Sequence, residues 1–202
     1  MSTIEPKQVT LRDGWRVLLR SPVEDDAQAL LDYLDAVRRE TTFLMYGPAD
    51  ALPDLEGERA WVRRSNEHAC AVKVAAVADG QIVALCDVTG GHGLYRMQHR
   101  AELGISVRAP WCNRGLGTIL MRELVAWSRR HADIHVLRLS VLADNARAIA
   151  VYRKVGFEVE GVRRRAVRYE DGRFADEMMM SVWVGEAVED GAVPCRDTIG
   201  SH

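Results

Sequence analysis

Three groups of residues in this chain have the types and spacing that chemistry needs. Arg114-Gly115-Leu116-Gly117-Thr118 sets two glycines one residue apart, between a strand-like run ending near Val107 and a long amphipathic run. Glu102, Gly104 and Ser106 alternate along that strand-like run, so a carboxylate, a glycine and a hydroxyl share one face. Tyr152 stands seven residues after Asn145 and four before Gly156, on a short helix-like segment. A phenol there is ordinarily core packing; proton donation is its functional reading.

The glycine turn is the most informative of the three. The first N–H groups of a helix have no partner within it, and the helix dipole places partial positive charge at that end. Glycines clear away the side chains that would hold a ligand off. A strand, then Asn113, Arg114, Gly115 and Gly117, then a helix therefore describe an anion site suited to a pyrophosphate. A turn that only lets helix and strand pack closely is the other reading, and Gly-x-Gly alone does not separate them. Two common phosphate motifs are absent. The third glycine of G-x-G-x-x-G would fall at Leu120, and no Gly-Lys-Ser/Thr marks a P-loop.

Bulk properties narrow the classes further. The chain has 202 residues, 48% hydrophobic and 28% charged, which suits one soluble domain that needs no disulfide or metal to hold its core. A net charge of −2 gives no reason to expect a nucleic-acid partner. The local run Arg163-Arg164-Arg165 reads equally as a solvated strand face or a phosphate contact. Cys70, Cys86, Cys112 and Cys195 are scattered without a C-x-x-C pair, which points to reduced thiols and a cytoplasmic setting. No apolar stretch approaches the roughly 20 residues that span a bilayer, so no membrane partner is expected. His131 and His135 flank Asp133 at a spacing that imitates a metal site. They straddle the expected end of a helix and show no third ligand, so no metal is expected.

These residues need elements to position them. Asp13-Gly14, Asp79-Gly80 and Asp171-Gly172 each sit between apolar runs and predict hairpin turns. Strands are expected over Val9–Arg20 (a hairpin), Cys70–Ala78, Gln81–Val88, Arg100–Val107, Val136–Val141, Phe157–Arg168 and Phe174–Val184. Helices are expected after Ser21, from about Glu56 to Asn66, over Gly115–Arg130 and over Asn145–Val155. Ser21 is read as the first N-cap, with Pro22 at the first helical position and Glu24 closing a capping box. Gly156 is read as a helix-ending residue. Residues 1–185 form the expected domain, and 186–202, which lack periodicity, a loose tail.

Cys112-Asn113-Arg114-Gly115-Leu116-Gly117 resembles the Gln/Arg-x-x-Gly-x-Gly/Ala acyl-CoA motif of the GNAT N-acetyltransferase superfamily, with Cys at the first position. Asn145-Ala-Arg-Ala-Ile-Ala-Val-Tyr152-Arg-Lys-Val-Gly156-Phe157 is similar to that superfamily's second signature, and the spacing of the two blocks matches. The resemblance spans roughly Val9 to Val184. It implies an α+β fold: a mixed, mostly antiparallel, twisted sheet of about seven strands flanked by about four helices. Its fourth and fifth strands splay apart, and here they would be the strands carrying Ile105 and Leu139–Val141.

The resemblance also implies a function, N-acetylation with acetyl-CoA as cosubstrate and no metal. Asn113, Arg114, Gly115, Leu116, Gly117 and Thr118 would bind the pyrophosphate. Ile105, Ser106, Val107 and Asn145 would hold the pantetheine arm, the Ile105 N–H facing the thioester oxygen. Tyr152 takes the place of the general acid. Glu102 matches a Glu of the phosphinothricin- and methionine-sulfoximine-type members and becomes the base candidate, an edge carboxylate paired with Arg100 being its bland alternative. Alanine-type ribosomal acetylases of the superfamily carry Glu where this chain has Ser140. Glu40, Tyr46, the Thr41–Tyr46 and Gly90–Tyr95 loops and the Arg163–Tyr169 hairpin are candidate acceptor contacts. The expected acceptor is a small-molecule amine such as an amino acid, polyamine or xenobiotic. A protein N-terminus or lysine, and a CoA-binding regulatory module without turnover, stay open. Members of the superfamily often dimerise, so a homodimer is one assembly the resemblance allows.

Overall fold

In the computed structural model, residues 3–91 and 94–185 are described; the expected tail falls outside them. Eight strands form one sheet in the order β1-β2-β3-β4-β5-β6-β8-β7. They are β1 Lys7–Thr10, β2 Arg16–Arg20, β3 Ala71–Ala78, β4 Gln81–Gly90, β5 Arg100–Val107, β6 Val136–Leu142, β7 Glu158–Arg168 and β8 Phe174–Trp183. Every pairing is antiparallel except β5 with β6. The helices are α1 Ala27–Glu40, α2 Leu55–Glu67, α3 Leu116–Arg129 and α4 Ala146–Lys154. The architecture is the α+β sheet expected, with eight strands in place of about seven.

The sheet's two faces carry different work. One packs α3 and α4 through Leu116, Leu120, Leu124 and Ile149 against Val74, Cys86, Ala101 and Leu103. The other packs α1 and α2 through Leu30, Tyr33, Val37 and Val62 against Ala75, Ile82 and Leu85. Strand alternation then places Lys73, Asp87, Glu102, Gly104 and Ser106 on the α1–α2 face. The Tyr33 hydroxyl confirms this by meeting Ser106 Oγ at 2.8 Å.

The start of α1 corrects the capping expectation. Ser21 does not cap it; its Oγ accepts from Ile4 N–H and donates to the Lys73 carbonyl. One 3-10 turn, Glu24–Asp26, precedes the helix, and Asp26 accepts from Val23 N–H at 2.7 Å while also binding Arg20. A long-range partner took the serine, and the carboxylate two residues beyond Glu24 took the cap. By contrast, Asn145 caps α4 through Ala148 N–H at 3.2 Å, as read.

Burial pushes the Tyr33 hydroxyl well above the usual tyrosine range, with the Ser106 bond opposing only in part. An unfolded tyrosine ionises near about pH 10 while the folded one does not. Stability from this residue is therefore present below that pH and lost as pH rises above it. In urea unfolding, Tyr33→Phe should cost about 1 kcal/mol near neutral pH, and it should flatten the loss of stability above about pH 10.

Candidate active site

The site begins where α3 starts. Gly115 is its N-cap with φ +91°, a left-handed conformation that a side chain would strain. The first bond into the helix runs from Ile119 N–H to the Gly115 carbonyl at 3.1 Å. The N–H groups of Leu116, Gly117 and Thr118 therefore have no partner within the helix. A Cβ placed on Gly117 would meet nothing within 4 Å, so the space in front of these donors is open.

Side chains around this end divide differently from the motif. Arg114 turns away, donating to Asp13 and to the Pro110 carbonyl, both at 2.9 Å, with its guanidinium 5.1 Å from the Trp111 ring. The Leu116 side chain is core, leaving only its backbone to offer. Cys112 Sγ lies 3.6 Å from the Arg108 carbonyl. The cation beside the glycines is Arg12, from the β1–β2 turn. Its N–H donates to the Arg114 carbonyl at 3.3 Å, and its Nε would sit 3.4 Å from a Cβ on Gly115. Sequence reasoning missed Arg12, because nothing local to the hairpin signals which helix end it will reach.

A gap opens next to that end. β5 and β6 pair only from Arg100–Glu102 with Val136–Arg138, although both strands run on, to Val107 and Leu142. Arg108 N–H donates to Val83 on the β4 side at 3.0 Å. Alternation then turns Ser106 and Gly104 N–H toward β4, and Ile105 and Val107 N–H toward the gap. Ser106 itself is committed to Tyr33. Tyr152, 7% exposed, stands on the α4 side of the gap with its ring 6.2 Å from Phe157. Burial pushes its hydroxyl up to about 12, so it stays protonated at neutral pH. No hydrogen-bond partner for that hydroxyl exists among the described residues. Asn145 lines the same space while capping α4.

The cleft holding all this measures about 2430 Å³ and runs from Arg12 and Gly117, past Ile105 and Tyr152, to Tyr46 and Trp61. Pockets for a single drug-sized ligand hold roughly 300–1,000 Å³. The volume is more than one such ligand needs. Glu102 is exposed and lines the cleft from the α1–α2 face, and no ion pair ties it to Arg100. Glu40 also lines it, yet its carboxylate is spent on Arg108 Nε and Ala109 N–H, both at 2.7 Å. Burial would raise Glu40, and those two bonds win, holding it below the usual range.

The loops sort as follows. Thr41–Tyr46 and the Val167–Glu170 end of the last hairpin do line the cleft, and Glu170 Oε1 lies where a Cβ on Gly47 would point, so the two segments pack close together. Gly91 and Tyr95 instead line a separate recess with Cys70 and His99; residues 92 and 93 are outside the described set. Cys70, His131 and Asp133 bring ligand atoms within 4.8 Å of one another, a juxtaposition invisible in sequence. His131 Nε2 is already bound to the Ala69 carbonyl at 2.9 Å, and burial raises the Cys70 thiol, which disfavours a thiolate ligand. His135 packs against His99 and Trp183.

A parallel pair that parts beside a glycine-capped helix is the arrangement that the resemblance to the GNAT superfamily implied, and the comparisons agree on the family. The model of the acetyltransferase (GNAT) family matches residues 32–157. The L-amino acid N-acetyltransferase AaaT of Escherichia coli is 32% identical over 125 residues, covering 61% of this chain and 75% of that protein. The L-methionine sulfoximine/L-methionine sulfone acetyltransferase of Pseudomonas aeruginosa is 26% identical over 160 residues, covering 79% and 90%. A crystal structure of a GNAT acetyltransferase from Streptococcus pneumoniae superposes with a TM-score of 0.79 at 26% identity, covering 84% and 99%. The chain belongs to the acetyltransferase (GNAT) family. It is an acyl-CoA N-acyltransferase with acetyl-CoA as cosubstrate.

The open donors suit that cosubstrate, since a diphosphate needs unpartnered N–H groups and clear space. Gly117→Ala should leave the melting temperature unchanged or slightly raised, because Ala is the better helix former by about 1 kcal/mol. Its methyl group enters the space before the donors, so CoA affinity by calorimetry should fall about tenfold.

Proposed function

We propose that the protein acetylates a small-molecule primary amine by direct attack, with acetyl-CoA and acceptor bound together. The observation that carries this reading is the cleft itself, where Tyr152 and Glu102 approach one gap from opposite faces of the sheet. Arg12 and the N–H groups of Leu116, Gly117 and Thr118 hold the diphosphate. The gap-facing N–H groups of Ile105 and Val107, with Asn145, hold the arm. Bound acetyl-CoA supplies an activated thioester.

The chain's own residues do the rest. The Ile105 N–H donates to the thioester oxygen, where charge grows as the acceptor nitrogen attacks; such a donor is worth about 3 kcal/mol in comparable sites. Glu102 takes the proton that nitrogen must lose, because only a neutral amine has a lone pair to offer. Tyr152 gives its proton to the sulfur as the carbon–sulfur bond breaks, and solvent restores it. A tyrosine made harder to ionise is well kept in the donating form at neutral pH. Cys112 lies at the diphosphate end by this arrangement, so no acyl-enzyme is needed.

The acceptor class follows from the roof and the relatives. Glu170 packed against Gly47 brings the last hairpin close to the α1–α2 loop, which favours a small molecule over a polypeptide. The named relatives act on amino acids and on methionine sulfoximine or sulfone, which supports amines of that size.

Tyr152→Phe should lower kcat by about a hundredfold or more, with CoA affinity within about twofold of wild type. Glu102→Gln should lower kcat/KM about a hundredfold near neutral pH, with the loss shrinking as pH rises toward the amine's own pKa. Thiol-release kinetics on an amine panel measure both, and a module without turnover would release no thiol.

A further inference from the structure

The α1–α2 side of the cleft carries a charged cluster that the acetyl-transfer chemistry does not use. Glu58, on the first turn of α2, is 3% exposed. Its Oε1 is buried without a hydrogen-bond partner, as are Asn66 Oδ1 and Arg138 Nε among the described residues, but only Glu58 of these three lines the cleft. Lys73, 5% exposed, sits nearby, and its single charge is shared between two carboxylates. Its Nζ lies 3.5 Å from the Trp61 ring centroid and 4.0 Å from Asp87 Oδ2. Tyr46 comes down from the α1–α2 loop close enough to feel the Glu58 charge.

Counting charges makes the imbalance plain. Asp87 and Lys73 offset each other across neighbouring strands, in register as Lys73↔Asp87. Glu58 is the surplus. A buried carboxylate without a partner is costly unless a cation reaches it. Burial raises both Glu58 and Asp87 while Lys73 opposes, which is the mark of carboxylates short of positive charge.

Resting on the acetyl-transfer reading above, we propose that Glu58, walled by Tyr46 and Trp61, selects acceptors carrying a second cationic group. The substrate class is a diamine, or an amino acid with a basic side chain. One end presents its amine to Glu102 and the gap; the other places its charge against Glu58. Sheet spacing sets the scale of the separation. Gly104 on β5 pairs with Asp87 on β4, and Asp87 with Lys73 on β3. Two strand spacings therefore separate the gap strand from the cluster, about 10 Å before side chains reach inward. Asp87 stands between the two ends and adds a second carboxylate along the sheet, opposed by Lys73.

The test compares acceptors that differ only in the second charge: L-lysine against L-norleucine, and cadaverine against pentylamine, with L-glutamate as the opposite sign. Thiol release gives kcat/KM for each. Wild type should prefer lysine and cadaverine over their uncharged counterparts by about tenfold or more. Glu58→Gln should abolish that preference while leaving norleucine turnover and CoA affinity within about twofold. Equal rates for charged and uncharged acceptors, a preference for glutamate, or an equal loss on all acceptors in Glu58→Gln would each overturn the proposal. Wild type alone decides if the variant does not fold. Transfer to norleucine without a lysine preference sinks only this inference, whereas CoA binding with no thiol release from any amine sinks the acetyl-transfer reading too.

Discussion

The early end of pairing between β5 and β6 is the constraint on which the rest of the molecule depends. Parallel strands that part after three residue pairs leave backbone donors and acceptors facing empty space in the middle of a sheet. Buried backbone groups are rarely left unpaired in folded proteins, because each lost hydrogen bond costs free energy. Such a gap is open to a ligand that completes it, and in the proposed reading an extended pantetheine arm meets the same groups a neighbouring strand would. The parting also lets residues from the two faces of the sheet, Tyr152 and Glu102, address one volume.

The start of α3 lies beside that gap. Gly115 turns the chain into α3 and leaves three N–H groups without a helical partner, which the proposed reading gives to the diphosphate. Arg12 supplies a side-chain cation from a distant hairpin, while Arg114, next to the glycines in sequence, is used to bind that hairpin down through Asp13. The cysteine at the motif's first position is compatible with this division, because the charge that the position often supplies comes from elsewhere. Arg114, expected at the pyrophosphate, pairs instead with Asp13, and Arg12 is the cation packed beside Gly115.

The acceptor end is governed by a different balance. Lys73, Asp87 and Glu58 are charged residues on or over a sheet face where burial works against charge. Burial lowers Lys73 and raises both carboxylates, and in each case it outweighs the attraction among them. Glu40 shows the opposite outcome. It makes two short bonds to Arg108 and Ala109, and these overcome its desolvation. The contrast separates a carboxylate that holds the fold together, tying the end of α1 to the end of β5, from one that waits beside a cavity. Both line the cleft, and of the two only Glu58 keeps a carboxylate oxygen without a hydrogen-bond partner.

The amino-acid order by itself determined whatever depends on local periodicity and on contiguous motifs. Alternating and helical runs, the Asp-Gly turns, the Asn145 cap and the Gly115–Gly117 helix start all rest on neighbours within a few residues. The family blocks at Cys112–Gly117 and Asn145–Phe157 are contiguous as well; Tyr152 in the second block and Glu102 on the strand before the first were readable as candidates before any coordinates. Tertiary structure alone decided which distant side chains converge. Ser21 left its expected cap for the Lys73 carbonyl, Arg12 rather than Arg114 reached Gly115, and Glu40 went to Arg108. Glu58, Lys73 and Asp87, from one helix and two strands, became a single cluster. Local free energies of capping and turn formation are readable from adjacent residues. Desolvation and ion pairing depend on what packs across the fold, and no stretch of sequence carries that.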